Sequence, residues 1–147
     1  MIQLKFSEIE QGGWEELKPY LDTCVLPLTG LQGGEQPWEA TMALEMLRDA
    51  LDVVEIPFKG RTVTYPALHY TRDIADLSGL CGRLKREAGF RYVVCVTPRT
   101  EEELPIEEVC ADLILRFTPE QLSDRPEEAR REAAERMTRL WFANQTL

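Results

Sequence analysis

The chain has 147 residues, of which 44% are hydrophobic and 29% charged, a composition typical of one folded domain with its own core. Its formal net charge of −9 argues against binding nucleic acid or an anionic membrane through clustered lysines and arginines. The start of the chain has no apolar signal-peptide segment, and no apolar run approaches the ~20 residues needed to span a bilayer. We therefore expect a cytoplasmic protein, a single domain over residues 1–147, with no membrane insertion.

The N-terminal part of the chain predicts a broken helical segment followed by a buried strand. Ser7 and Glu10 have the spacing of a capping box. Two consecutive glycines then interrupt the segment, which leaves a short helix over residues 14–20. The run from Thr23 to Leu28 is apolar almost throughout, as expected for a strand that is buried on both faces.

The middle of the chain predicts two helices on either side of an edge strand. The first helix covers residues 38–54, and its apolar positions recur every three or four residues: Trp38, Met42, Met46, Leu47, Ala50, Leu51 and Val54. Residues 61–67 form a weakly alternating strand, and Pro66 places it at an edge because proline donates no ladder hydrogen bond. The second helix covers residues 73–89, with Thr71 or Asp73 as its cap.

The last third of the chain predicts two more strands and a long helix. Residues 92–96 are a second wholly apolar strand, and residues 112–117 are another strand. Between them, residues 101–109 form a short acidic helix or turn. From residue 124 onward the chain is strongly helical, and its buried face is marked by Ala129, Ala133, Met137, Leu140 and Trp141.

The order of these elements predicts an α/β fold. Strands separated by helices require crossovers and therefore a parallel sheet. The two wholly apolar strands belong in the centre and the two mixed strands at the edges, which gives the order 2-1-3-4. We expect a three-layer α/β/α, flavodoxin-like four-stranded parallel sheet with an extra N-terminal helical segment. Right-handed crossovers place the Trp38 helix on one face and the Asp73 helix on the other.

The loop "TGLQGG", residues 29–34, follows the first central strand at the switch point of such a sheet, where ligands usually bind. Its glycines permit exposed N–H groups, and two arginines of neighbouring loops favour a small anion such as a carboxylate or phosphate. The residues expected to face this crevice are Thr29, Gln32, Gly33, Gly34, His69, Tyr70, Arg72, Thr97 and Arg99. The alternative is that they are ordinary loop residues, with the arginines paired to Glu35, Glu39 or acids 101–103.

The sequence lacks the usual motifs of catalysis and cofactor binding. It has no phosphate-binding loop, no dinucleotide fingerprint and no G-x-S-x-G elbow. Cys24, Cys81, Cys95 and Cys110 form no C-x-x-C pair and His69 is the one histidine, so we expect buried free thiols, no metal and no cofactor.

These absences favour a non-enzymatic binding or helper domain for a protein partner or a small anionic ligand. The alternative is a hydrolase-like enzyme with a site around His69, Arg72 and Arg99, because only His69 transfers protons near neutral pH.

Four segments resemble the YpiF-like family of small bacterial proteins of unknown function. They are "YLDTCVLPL", the helix after it, "FKGRTVTYPALHY" and "REAGFRYVVCVT", and the resemblance covers most of the chain from Trp14 to Thr97. It implies a compact cytosolic bacterial protein and assigns no activity.

A more distant similarity is to the creatininase family of metal-dependent amidohydrolases. Gln32 stands roughly where that family has a metal-binding glutamate, and no histidine follows it. The later strand ends in Thr97 to Thr100 without the family's histidine and glycines. This similarity implies a creatininase-like scaffold that lacks the metal ligands.

Overall fold

A parallel sheet forms the centre of the computed structural model, which describes residues 9–143. Its strands are β1 (Thr23–Pro27), β2 (Thr62–Thr64), β3 (Tyr92–Thr97) and β4 (Leu113–Arg116). They lie in the order β2-β1-β3-β4, and every neighbouring pair is parallel. The predicted flavodoxin-like strand order is therefore confirmed, with the two wholly apolar strands in the centre.

The helices in the described range cover both faces of the sheet. They are α1 (Gln11–Leu17), α2 (Pro37–Glu55), α3 (Ile74–Arg86), α4 (Pro119–Asp124) and α5 (Pro126–Ala143). One core cluster joins α2 and α5 to the sheet, and a second cluster on the opposite face contains α3. The prediction that the Trp38 and Asp73 helices lie on opposite faces is confirmed. None of these described helices has the length and apolar character needed to cross a bilayer.

Three local predictions were wrong. The glycines at 12 and 13 do not interrupt the first helix, because α1 runs through both of them. Ser7, the first residue of the expected capping box, lies outside the described residues. The last helix, α5, begins at Pro126, and Asp124, where the helical segment was expected to begin, instead ends α4, a short helix that was not predicted. Cys110 is exposed, whereas the other three cysteines are buried, and all four are free thiols.

A polar clamp holds α5 to the amino ends of the strands, opposite to the predicted crevice. Arg61 binds both carboxylate oxygens of Asp22, with its Nε 3.0 Å from Oδ1 and its Nη2 3.1 Å from Oδ2. The Arg61 guanidinium also lies 4.1 Å from the centre of the Trp141 ring. The Trp141 indole N–H in turn donates to Thr23 Oγ1 at 2.9 Å. One arginine therefore links β1, the segment before β2 and α5.

The clamp predicts that Arg61→Lys destabilises the protein although it keeps the charge. Lysine cannot make the bidentate contact or lie flat on the tryptophan, so we expect a loss of about 1–3 kcal/mol in the free energy of unfolding. The matched control is Arg48→Lys, because the Arg48–Asp49 pair is exposed, with side-chain exposures of 67% and 56%. That variant should stay within about 0.5 kcal/mol of wild type. Urea unfolding measures both, and equal stabilities for the two variants would contradict the clamp.

Candidate functional site

The end of the central strand β1 is fixed by a buried threonine. Beyond β1, Leu28 forms a further bridge to Leu68, and the Thr29 amide donates to the Leu68 carbonyl at 3.2 Å. Thr29 is 0% exposed, and its Oγ1 lies 2.8 Å from Nδ1 of His69. His69 and Thr29 therefore tie the end of β1 to the segment after β2.

Arg99 packs directly on the backbone of the next residue, Gly30. Its Nε donates to the Thr29 carbonyl at 3.0 Å. Gly30 has φ +76°, and a Cβ added to it would lie 2.6 Å from Arg99 Cγ. Glycine is required here both for the left-handed backbone and for the close approach of the arginine.

Arg72 reaches the same turn from the β2 side. It donates to the Gly30 carbonyl at 3.3 Å and to the main-chain carbonyl of Glu103. The Glu103 carboxylate is 3.9 Å from Arg99. The alternative that the arginines pair with the acids at 101–103 therefore holds for Arg99. The shorter contacts of both arginines, however, are to main-chain carbonyls.

The loop already contains an anion of its own. The amides of Gln32 and Gly33 each donate to the Glu35 carboxylate at 2.8 Å. These two hydrogen bonds, with a smaller contribution from the Arg99 charge, hold the pKa of Glu35 below its ordinary value. The carboxylate therefore stabilises the loop above the ordinary glutamate pKa, and this contribution is lost as the pH falls through the lowered pKa.

An open cleft of about 580 Å³ lies between this loop, the first half of α2 and the loop after β3. One wall is apolar: Trp38 and Met42 line the cleft with side chains that are 64% and 56% exposed, and Met46 continues the row. The other walls are charged, with both arginines and four glutamates.

Only part of the expected crevice comes together in this cleft. Three of the nine expected residues line it: Gln32, Arg72 and Arg99. The remaining six are not among its lining residues: Thr29, Gly33, Gly34, His69, Tyr70 and Thr97. Thr97 is buried, and its Oγ1 accepts the Arg99 amide at 3.3 Å, so it positions an arginine and has no contact with the cleft.

The apolar wall was not predicted, because the apolar positions of α2 were expected to form one face. Leu47, Ala50 and Val54 are buried against the sheet as predicted, whereas Trp38 and Met42 face outward. Spacing alone carried no signal of this difference, because Ala50 and Val54 continue the four-residue row of Trp38, Met42 and Met46 and are buried.

The chemical groups in the cleft suit binding. Its lining contains carboxylates, guanidinium groups, an amide and apolar side chains, without a histidine, cysteine, serine or threonine. Burial raises the pKa of the Cys24 thiol, which keeps it protonated and unreactive. Within residues 9–143, no group of three or more potential ligand side chains is placed to hold a metal ion.

The contact between Gly30 and Arg99 predicts a graded series of alanine substitutions. Gly30→Ala should cost about 1–3 kcal/mol, because it combines a positive φ with a clash against Arg99. Gly33→Ala has a positive φ of +104° but open space, and should cost about 1 kcal/mol. Gly34→Ala has neither problem and should stay within about 0.5 kcal/mol of wild type. Thermal or urea unfolding gives the order, and a Gly30 variant as stable as the Gly34 variant would contradict the packing.

The bound carboxylate predicts that anion binding depends on Glu35. Glu35→Ala frees the two amides, so sulfate or phosphate should raise the melting temperature of this variant more than that of wild type. The control is Glu102→Ala, which removes a carboxylate from the same cleft without freeing an amide. An equal anion-induced rise in the melting temperature of both variants would mean that the effect depends on the net charge of the protein alone.

Comparison of the chain with protein-family models, with curated proteins and with solved structures found no match in any of the three.

Proposed function

We propose that this protein is a non-enzymatic binding domain that holds its ligand in the cleft between residues 30–35, the first half of α2 and the two arginines. The observation that carries the proposal is the combination of an exposed apolar wall, Trp38 and Met42, with a charged rim whose positions are already fixed. Large exposed apolar side chains beside a polar rim are typical of binding surfaces.

The apolar wall favours a protein partner over a small anion. An inorganic anion gains nothing from Trp38 or Met42, whereas tryptophan and methionine are common in surfaces that bind proteins. Binding of a small anion at the Gln32 and Gly33 amides remains a part of the proposal, and an anion that binds there has to displace the Glu35 carboxylate. The resemblance to the YpiF-like family supports a bacterial cytosolic setting as a further part of the proposal.

A hydrolase-like enzyme around His69, Arg72 and Arg99 is the second candidate. It is favoured by the 2.8 Å contact between Thr29 Oγ1 and His69 Nδ1, a distance suited to a nucleophile and its base. Against it, Thr29 is fully buried, and its hydroxyl is also 3.2 Å from the Leu68 carbonyl. A substrate has no path to that oxygen from the cleft without rearrangement of the loop.

A fragment screen followed by NMR tests the binding proposal without a known ligand. We expect the shift changes of hits to concentrate in the amides of residues 30–35 and in the Trp38 indole. Trp38→Ala should weaken the best hit about tenfold, as removal of a central aromatic contact does. Tyr20→Ala is the matched control, since Tyr20 is 71% exposed and does not line the cleft.

Two results would contradict the binding proposal. The first is a set of fragments whose shift changes lie elsewhere and whose affinity is unchanged in Trp38→Ala, which would show that the cleft is not the binding site. Turnover of model esters by wild type that disappears in a folded His69→Ala variant would favour the enzyme.

A further inference from the structure

We propose that the cleft is one half of a longer groove along α2, and that the groove binds a basic amphipathic helix of a partner protein. This inference rests on the proposed binding function and specifies the ligand. It follows from the continuity of the groove, its exposed apolar side chains and its charge.

The groove continues past Met46. A second hollow of about 590 Å³ begins at this residue and runs between the end of α2 and the start of α5, with α4 beside it. Met46 lines both hollows. Because α2 has 19 residues, the two hollows together follow a helix about 28 Å long. A partner helix of about 18 residues matches that length.

Apolar side chains line the groove at both ends and in the middle. Trp38 and Met42 are exposed in the first hollow, and Ile56 is 54% exposed in the second, beside Leu122. Methionine side chains are flexible and polarisable, which lets such a groove fit the apolar face of a helix. The apolar face of the partner therefore has contacts along the whole length of α2.

The charge of the groove selects a basic partner. Six carboxylates line the two hollows against three arginines: Glu35, Glu39, Asp49, Asp52, Glu102 and Glu103. The three arginines have partners within the chain, Arg72 and Arg99 at the loop carbonyls and Arg130 at Glu127, 2.7 Å away. Most of the carboxylates also have partners, Asp49 at Arg48 and three of the glutamates at backbone amides. A carboxylate that accepts from an uncharged amide keeps its charge, so the lining keeps an excess of negative charge. With a net charge of −9, the chain also attracts a cationic helix from a distance. A second copy of the chain would bring the same excess of acids and be repelled.

Three synthetic peptides of about 18 residues, titrated against the full chain by calorimetry, test the inference. The first has leucines on one helical face and lysines on the other. The second has glutamates in place of the lysines, and the third has the composition of the first in an order without an apolar face. We expect the basic amphipathic peptide to bind at least about tenfold more tightly than either of the others, and to weaken with added salt.

Two charge reversals on α2 test whether the peptide binds in the groove. Asp49→Lys, inside the groove, should weaken the basic amphipathic peptide about tenfold. Glu45→Lys makes the same charge change on an exposed residue of the same helix that does not line either hollow, and should change the affinity less than about twofold. Circular dichroism checks that both variants remain folded.

The outcomes separate this inference from the proposed function. Equal affinity for the basic and acidic amphipathic peptides would overturn the charge argument and leave an apolar binding cleft. If no peptide binds while fragments still bind at Trp38, the groove proposal is overturned and the proposed binding function is not. A dimer in sedimentation velocity that is lost in Trp38→Ala would assign the groove to a second copy and also overturn it.

Discussion

The carbonyl groups at the end of β1 need hydrogen-bond donors, and the structure of this side of the molecule depends on how those donors are supplied. The strand is hydrogen-bonded on both sides, so where it ends, the carbonyls of Thr29 and Gly30 lose their strand partners. Buried carbonyls need donors, and here they come from Arg99 on the β3 side and Arg72 on the β2 side. Gly30 has to be glycine because Arg99 lies where a Cβ would stand.

Two amides of the same loop are paired as well as two of its carbonyls. Glu35 takes the N–H groups of Gln32 and Gly33, and the arginines hold the turn before them. A loop held by these hydrogen bonds loses little further freedom when a ligand binds, which is the physical advantage of a preformed site. It also explains why the cleft offers a ligand an apolar wall and charged side chains more readily than bare backbone donors.

The strand order could be predicted from the sequence because burial on both faces leaves a direct pattern, an unbroken apolar run. The short helix α4 was missed although Thr118 and Gln121 carry the spacing of a capping box, since six residues give no periodicity to detect. The positions of the two arginines beside the loop followed from topology. Their carbonyl partners, and the carboxylate of Glu35 on the amides, depend on side-chain geometry that no spacing rule contains. The outward direction of Trp38 and Met42 depends on how far α2 extends beyond the sheet.

The loop after β1 is closed by its own carboxylate, Glu35, and is therefore preformed. An NMR titration that follows the Glu35 carboxyl carbon together with the Gln32 and Gly33 amides tests it most directly. We expect Glu35 to titrate below the ordinary pKa of a glutamate and both amide resonances to move with it, because the same hydrogen bonds cause both effects. An ordinary glutamate titration with unresponsive amides would contradict it.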